Sequence, residues 1–202
     1  MALKPGQAMF AVLALFLATL SVAAQDFEKG LDAYKAGDHE TALQDWRPLA
    51  DQGHAEAQYE LGIMYAKGLG VTEDDAAALR WFRRAADQGN AQTEFFIGWM
   101  YVNGEGVAQD HAESLRWYRR AAGRGHAPAQ IKLGNMYGFG EGTARDDVLS
   151  HMWYSIAAAN GSDFGEGARK IVEEQMTAAQ IGKAEALARR CLKSGYTDCD
   201  RD

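Results

Sequence analysis

The chain has few of the residues and none of the motifs that mark common enzyme classes. Its 202 residues include two cysteines and five histidines. No HExxH motif, Walker phosphate loop, GxSxG elbow or SxxK pair occurs. Acidic pairs such as Asp74-Asp75 are expected at helix starts or on charged faces, and not on two sides of a cleft. We therefore expect a protein that is not an enzyme and that has no cofactor and no metal site.

Positive charge is also scarce. The chain has 21 Lys and Arg residues against 28 Asp and Glu residues, for a net charge of −7. Attraction to a nucleic-acid backbone grows with the number of positive charges that a protein offers to the phosphates. We therefore expect no nucleic-acid partner.

A long apolar run is absent except near the N-terminus. Lys4 precedes the uncharged stretch Ala8–Leu20, and small residues follow at Val22 and Ala24. A bilayer-spanning helix needs roughly 20 apolar residues, so this run is too short for one and is typical of a secretory signal peptide. We predict a signal peptide over residues 1–24 and a periplasmic or secreted mature chain without a transmembrane segment. An uncleaved membrane anchor is the alternative.

The two cysteines, Cys191 and Cys199, both follow this export signal. A pair of cysteines in an oxidising compartment favours a disulfide. A redox or metal-binding role would need a CxxC-like spacing or histidine partners, and neither is present. We predict a structural disulfide.

A repeat of 36 residues dominates the rest of the sequence. The stretch GHAEAQYELGIMYAKGLGV, which starts at Gly53, returns in related form at Gly89 and at Gly125. The same step relates a helical glycine, a tyrosine, an aspartate, a tryptophan and a pair of alanines in each copy: Gly62/98/134, Tyr65/101/137, Asp74/110/146, Trp81/117/153 and Ala85-Ala86/121-122/157-158. Self-similarity at such a period predicts a repeat protein in which neighbouring copies stack.

Each copy has the pattern of two antiparallel helices. Apolar residues recur at helical spacing, a glycine-rich break follows, and the helical spacing then resumes. Gly62 costs about 1 kcal/mol in a helix relative to alanine, which suggests a close approach of two backbones, with Ala85 and Ala86 as the expected neighbours. Thr72 and Asp75 have the spacing of a capping box, and Gly89 is expected to end the second helix.

These observations predict an all-α fold, a right-handed α-solenoid of about five antiparallel helix pairs. Upstream residues follow the same plan with a shorter loop, and downstream residues supply one further helix pair opened by Thr177 and Gln180. The predicted single domain covers residues 25–202. It consists of a trimmed first copy of the repeat (25–54), three full repeats (55–90, 91–126 and 127–162) and C-terminal capping helices with the disulfide (163–202).

The pattern from Ala55 to Gly89, AxAQxxLGxxYxxGxGV followed by an aspartate and WxxxAAxxG, resembles the Sel-one-like repeat, a relative of the tetratricopeptide repeat. The resemblance is strong over residues 55–162. The third copy departs from it at Pro128, Thr143 and Ser155-Ile156. The resemblance implies an α-solenoid for protein–protein interaction, often in bacterial envelope or host-interaction pathways.

Some positions of the first helix change freely from copy to copy, whereas the core positions 57/93/129, 59/95/131 and 61/97/133 stay largely apolar. Offsets of 4, 7 and 11 residues place the changing positions, here called the variable positions, on one face of the helix. First helices of such solenoids line the concave surface, so we expect this face to be a groove. The variable positions are 56/92/128, 60/96/132, 63/99/135 and 67/103/139, and the residues predicted to bind a partner are Glu60, Ile63, Phe96, Trp99, Asn103, Lys132, Asn135 and Phe139.

Phe96 and Trp99 are the expected apolar anchors at the centre of this groove, with polar neighbours that select the partner. The alternative is that both aromatic residues pack against neighbouring first helices as part of the core. Arginines on the second helices, including Arg84 and Arg120, form a basic stripe that either binds acidic partners or is a solvated face.

The sequence therefore favours a non-catalytic scaffold or adaptor in the bacterial cell envelope that binds an unknown protein or peptide. Two alternatives remain open. One is a cell-wall-associated module that binds or hydrolyses peptidoglycan or β-lactams, and the other is structural oligomer assembly through the solenoid ends. The oligomeric state is not predicted.

Overall fold

The computed structural model describes residues 26–199, which form two compact units with a boundary between residues 84 and 85. Helix α1 covers residues 26–35. The others are α2 (His39–Asp51), α3 (Ala55–Lys67), α4 (Asp75–Ala86), α5 (Ala91–Asn103), α6 (His111–Ala122), α7 (Ala127–Phe139), α8 (Asp147–Ala159), α9 (Asp163–Glu173) and α10 (Ala178–Lys193). Residues 26–199 thus contain ten helices and no strand, and the all-α prediction is confirmed.

The predicted signal peptide, residues 1–24, lies outside the described residues and stays a prediction. Within residues 26–199, every helix is too short or too polar to span a membrane.

A glycine under an aromatic ring joins the two helices of each full repeat. Gly62 of α3 lies under the Phe82 ring of α4. In the second unit, a Cβ atom on Gly98 would lie 2.7 Å from the Tyr118 ring, and one on Gly134 would lie 2.5 Å from the Tyr154 ring. The glycine does allow close packing, but the predicted approach of a second backbone, with the alanine pair as its neighbours, is wrong. An aromatic side chain of the second helix, and not the alanine pair, occupies the space that the missing side chain leaves.

The alanine pairs of the first two full repeats are fully buried, and the second of these pairs helps to join one repeat to the next. In the second unit, the Gln130 side chain donates a hydrogen bond to the Ala122 carbonyl at the end of the preceding repeat, at 3.3 Å. In the first unit, Gln58 donates to the Ala50 carbonyl at 2.9 Å. The core positions 57/93/129 and 61/97/133 are buried as predicted, whereas positions 59/95/131 are only half-buried.

An aspartate caps the second helix of each repeat. The Asp74 carboxylate accepts a hydrogen bond from the Ala77 N–H at 2.8 Å, and Asp110 and Asp146 do the same for α6 and α8. The predicted capping box at Thr72 is therefore wrong, because α4 begins at Asp75 and not two residues earlier. An aspartate at this position satisfies an unpaired N–H group and places a negative charge at the positive end of the helix dipole.

The first helix of each repeat has a different cap. His54, Asn90 and His126 occupy equivalent positions, and each accepts a hydrogen bond from the N–H three residues later. The prediction of a polar residue at a helix entrance is confirmed for both histidines. Gly89 has a φ of +85°, in the left-handed region that glycine tolerates best, as expected for the turn after α4.

The C-terminal helices cover the last full repeat. Helices α9 and α10 both pack against α8, and the predicted capping box of Thr177 and Gln180 opens α10. The predicted disulfide between Cys191 and Cys199 is confirmed. Both cysteines are buried in the apolar cluster of the second unit, which is the position expected of a structural bond.

A buried carboxylate replaces glutamine in the second full repeat. Glu94 stands where Gln58 and Gln130 stand in the flanking copies, and its side chain is fully buried. Arg120 and Arg124 donate to its two carboxylate oxygens, each with a 3.1 Å contact from Nε. In the third repeat the corresponding contact is neutral, since Asn160 donates to the Gln130 side chain at 2.9 Å.

Replacing Gly98 with alanine should destabilise the protein by about 1–3 kcal/mol, because the added methyl group would overlap the Tyr118 ring. The matched control is Gly182→Ala in α10, where an added Cβ meets no atom within 4 Å. That change should leave stability unchanged or raise it by up to about 1 kcal/mol. Urea unfolding measures both, and equal effects would contradict the role of the ring contact.

His126 should make the stability of the protein pH-dependent. Its Nδ1 accepts from the Ala129 N–H at 3.3 Å, and its Nε2 faces the Gln92 side-chain oxygen at 3.0 Å. Burial lowers the pKa of His126. The neutral, capping form therefore stabilises the fold above the ordinary histidine pKa of about 6.5, and this contribution is lost as the pH falls through the lower folded-state value.

The matched variant is His126→Asn, because Asn90 caps the preceding repeat without titrating. Unfolding free energies at pH 7.5 and pH 5 should fall more steeply for the wild type than for the variant. Parallel pH profiles would show that the His126 cap does not contribute.

The double variant Arg120→Met, Arg124→Met lacks both arginines that contact Glu94. Its free energy of unfolding should be lower by about 3 kcal/mol, because a buried carboxylate loses its partners. Adding Glu94→Gln, the residue of the flanking repeats, should recover most of that loss. Denaturant unfolding of the double and triple variants measures the rescue. A triple variant as unstable as the double would assign the loss to arginine packing instead of charge.

Candidate interaction site

The variable positions of the first unit offer little apolar surface. Ile63, predicted to bind a partner, is only 8% exposed, so its predicted place on an open surface is wrong. A β-branched apolar side chain gains more from burial than from contact with water. Glu60 is half-buried, and this burial raises the pKa of its carboxyl, an effect that Lys67 partly opposes.

The variable positions of α5 lie at the surface of the second unit. Phe96 is half-buried and meets Phe95 edge-to-face, with ring centroids 6.1 Å apart. Trp99 is 38% exposed, and Asn103 is exposed. Phe96 and Trp99 are therefore neither fully buried nor fully open. Whether they bind a partner stays a prediction.

The variable positions of α7 are more open. Lys132 is exposed, and Phe139 is 76% exposed, the largest fraction among the exposed large hydrophobic side chains of the described chain. Asn135 lies between them and accepts a hydrogen bond from the Tyr154 hydroxyl at 2.5 Å. Helix α7 thus presents a cation, an amide and an aromatic ring on one face.

A cleft of about 480 Å³ runs beside this face, between α7, α8 and α9. We call it the α7–α9 cleft. One wall includes Asn135 and Phe139, and the other includes Phe164 and Ile171. Its full lining is Asn135, Gly138, Phe139, Arg145, Asp147, Ser150, Tyr154, Phe164, Ala168, Ile171, Val172 and Gln175. Its size lies within the range of pockets that bind small ligands or side chains.

The second wall was missed by sequence reasoning, although the repeat contains the signal for it. Adding 36 to the variable positions of the third copy gives residues 164, 168, 171 and 175, and all four line the cleft. Residues 163–202 are predicted from the sequence as capping helices only, and the predicted variable series ends at residue 139. Helix α9 therefore has two roles, since it covers α8 and also continues the variable face.

The exposed apolar residues follow the same series. In the described part of the chain, the large hydrophobic side chains that are exposed are Trp99, Phe139, Phe164 and Ile171. Each of them occupies a variable position. Exposed apolar side chains that gather at one kind of position, with polar neighbours, are typical of an interaction surface.

Polar contacts hold the floor and one end of the cleft in place. Burial raises the pKa of the Tyr154 hydroxyl, which keeps it in the neutral form that donates to Asn135. Arg145 donates to both carboxylate oxygens of Asp147, at 2.9 and 3.2 Å, and to the Gln175 side chain at 3.0 Å. The hydrogen bond from Arg145 to Asp147 raises the pKa of the guanidinium, and the two charges offset each other.

The arginine stripe of the second helices is largely engaged in contacts within each unit. In the first unit, the Arg84 guanidinium lies 4.6 Å from the centre of the Trp81 ring. In the second unit, Arg120 lies 4.4 Å from the Trp117 ring and also binds Glu94, and Arg119 contacts Tyr137. These contacts favour a structural role for the stripe over the binding of acidic partners.

One cluster contains the residue types of a hydrolytic triad. His151 is fully buried, its Nε2 lies 2.8 Å from a Glu173 oxygen, and its Nδ1 lies 3.3 Å from the Ser155 hydroxyl. However, the Ser155 hydroxyl donates to the His151 carbonyl one turn earlier, at 2.8 Å, and Arg169 is paired with Glu173. The hydroxyl proton is therefore directed to the helix backbone, and the cluster fastens α8 to α9.

Metal-ligand geometry is also missing from residues 26–199, where no group of three or more His, Cys, Asp or Glu side chains could hold a metal ion.

The sequence pattern of the Sel1 repeat matches residues 55–90, 91–126 and 127–162, which is more than half of the chain. The chain belongs to the Sel1 repeat family. The matched boundaries coincide with those predicted for the three full repeats, and the Gly–aromatic contacts and capping aspartates recur within them.

Two solved structures share the fold. A Sel1 repeat protein from Oxalobacter formigenes is 28% identical with a TM-score of 0.66, and the match covers 84% of this chain and 77% of that one. A protective antigen of uropathogenic Escherichia coli strains, which displays an SLR fold, is 27% identical with a TM-score of 0.59. That match covers 86% of this chain and 47% of the antigen.

Two curated relatives match over a short stretch. Proteins named exopolysaccharide production negative regulator, from Rhizobium leguminosarum bv. viciae and Rhizobium meliloti, are 45% and 41% identical over 49 residues. The match covers 24% of this chain and 18% of each relative. The matched stretch is little longer than one 36-residue repeat.

Proposed function

We propose that this Sel1 repeat protein is an exported, non-catalytic adaptor of the bacterial cell envelope that binds a protein or peptide through the variable face of its second unit. Sel1 repeats serve as protein-interaction scaffolds. The observation that carries the proposal is that the exposed large hydrophobic side chains of the described chain all occupy variable positions. A scaffold that buries its conserved positions and exposes apolar groups at its variable ones is built to bind a partner.

The α7–α9 cleft is the proposed centre of the site. Phe139, Phe164 and Ile171 surround it, and they are more exposed than Trp99, which the sequence favoured as an anchor. Burial of such side chains supplies about 1.5–3 kcal/mol each, whereas polar groups at the rim mainly select the partner. The proposed anchors are therefore Phe139, Phe164 and Ile171, with Asn135 and Gln175 as hydrogen-bonding groups.

Export is the second part of the proposal. It rests on the signal-like sequence of residues 1–24 and is supported by the disulfide between Cys191 and Cys199, since such bonds persist in oxidising compartments. The short match to the rhizobial regulators supports no particular pathway, because it covers only about a fifth of those proteins.

A tagged full-length chain, expressed in its own organism and cross-linked before recovery from the periplasmic fraction, tests the proposal. A specific protein should be captured by the wild type and lost with Phe139→Ser combined with Ile171→Ser, because the serines remove the apolar anchors without disturbing buried residues. Mass spectrometry identifies the protein, and the intact mass of the tagged chain shows whether residues 1–24 have been removed.

The matched control is Trp99→Ala, which changes an exposed aromatic residue outside the cleft lining. Retention of the partner by this variant would confine the site to the cleft, and its loss would extend the site along α5. Equal capture by all three chains would overturn the proposed face, and recovery of cell-wall material alone would favour a cell-wall-associated module. Circular dichroism checks that each variant is folded.

A further inference from the structure

The interior of the α7–α9 cleft suits an apolar side chain and not a charged one. Phe139, Phe164 and Ile171 supply large apolar surfaces, whereas Gly138 and Ala168 are small and leave space between them. The charge of Arg145, at the end of the cleft, is offset by the bidentate contact with Asp147. A charged group that entered the cleft would lose its hydration and would find no charged side chain that is free to pair with it.

The cleft is also small for a helix, because its volume of about 480 Å³ corresponds to about one helical turn with its side chains. Helices α7 and α9 contact each other directly, whereas a helix with its side chains is about 10–12 Å wide. An extended segment could instead lie along the opening and place single side chains inside. The side-chain amides of Asn135 and Gln175 lie on opposite walls and could satisfy the backbone of such a segment.

Lys132 is the charged group left for recognition. Among the four variable positions of α7 and the four equivalent positions 164, 168, 171 and 175, it is the one charged side chain. It is exposed, and it forms no ion pair with any residue in the described range 26–199. A lysine without a counter-charge beside an apolar cleft is complementary to a carboxylate on the partner.

The distance between Lys132 and Phe139 sets the spacing of the two residues that would contact them in a bound peptide. Lys132, Asn135 and Phe139 share one face of α7, and Lys132 is about 10 Å from Phe139 along the helix axis, at 1.5 Å per residue. An extended peptide rises about 3.3 Å per residue, so that distance corresponds to about three residues.

We infer that the partner segment is an extended peptide, an inference that rests on the proposed function above. The peptide places a large apolar side chain in the α7–α9 cleft, and an acidic residue about three positions away pairs with Lys132. The apolar residue supplies the contact area, and the acidic residue sets the register and direction of the segment. A basic segment is disfavoured at the same site, because it would place like charges together.

A random 12-residue peptide library displayed on phage, panned on the full-length protein, tests this inference. Counter-selection on Phe139→Ser combined with Ile171→Ser removes peptides that bind elsewhere. The enriched peptides should share an aromatic or large aliphatic residue and an Asp or Glu about three positions from it. Fluorescence anisotropy with one synthetic peptide from this set then gives affinities for each variant.

Lys132→Glu should weaken binding of that peptide by about tenfold or more, and changing the peptide's acidic residue to Lys should restore binding to the variant. The control is Lys193→Glu at the end of α10, which changes the net charge equally but lies on a helix that contributes no residue to the cleft, and it should change affinity less than about twofold.

Failure of this inference can be told apart from failure of the proposed function. Cleft-dependent peptides that lack an acidic residue, or that bind Lys132→Glu as well as the wild type, overturn this inference and leave the proposed function standing. A selection that yields no cleft-dependent peptide overturns the binding of peptides at this face altogether.

Discussion

The contact between a helical glycine and the aromatic ring of the following helix is the constraint on which each repeat depends. Gly98 and Gly134 leave no room for a Cβ atom, because Tyr118 and Tyr154 fill the space above them. The ring buries a large apolar area against the backbone of the first helix, which offsets the conformational cost of glycine within a helix. Even the shortened first copy keeps this arrangement, with Gly30 against the Trp46 indole.

The same contact separates the two faces of the first helix. The face that carries the glycine packs against the second helix of the repeat, and the core positions 57/93/129 and 61/97/133 are buried in the same helices. Most variable positions, including those of Lys132 and Phe139, lie at the surface and can change at little cost in packing, whereas Ile63 is buried and Asn135 accepts from the Tyr154 hydroxyl. A repeat protein can therefore diversify its surface while its core stays constant, and this is where the exposed apolar residues of this chain are found.

The buried polar contacts between repeats can also vary, but only as matched pairs. Gln130 with Asn160 and Glu94 with Arg124 occupy equivalent places in successive repeats, one as a neutral pair and the other as an ion pair. Either arrangement satisfies the buried oxygen atoms, but a mixture would leave a charge unpaired. A similar exchange occurs at the glycine that ends each repeat. Arg124 lies over Gly89, whereas Tyr196 of the C-terminal loop packs over the equivalent Gly125 and donates to Asn160.

Sequence alone determined the repeat, the helix pairs and the disulfide. Glycine, tryptophan and aspartate at a constant interval of 36 residues are local signals, and the cap, the turn and the helical stripe that they specify require few distant contacts. Tertiary structure decided which side chains face water. Ile63 and Phe139 are both apolar residues at variable positions, yet one is buried and the other is exposed. The α7–α9 cleft likewise exists because α9 docks beside α7 and brings Phe164 and Ile171 opposite Phe139. Burial depends on what packs over a residue, and neither the spacing nor the type of a residue specifies that.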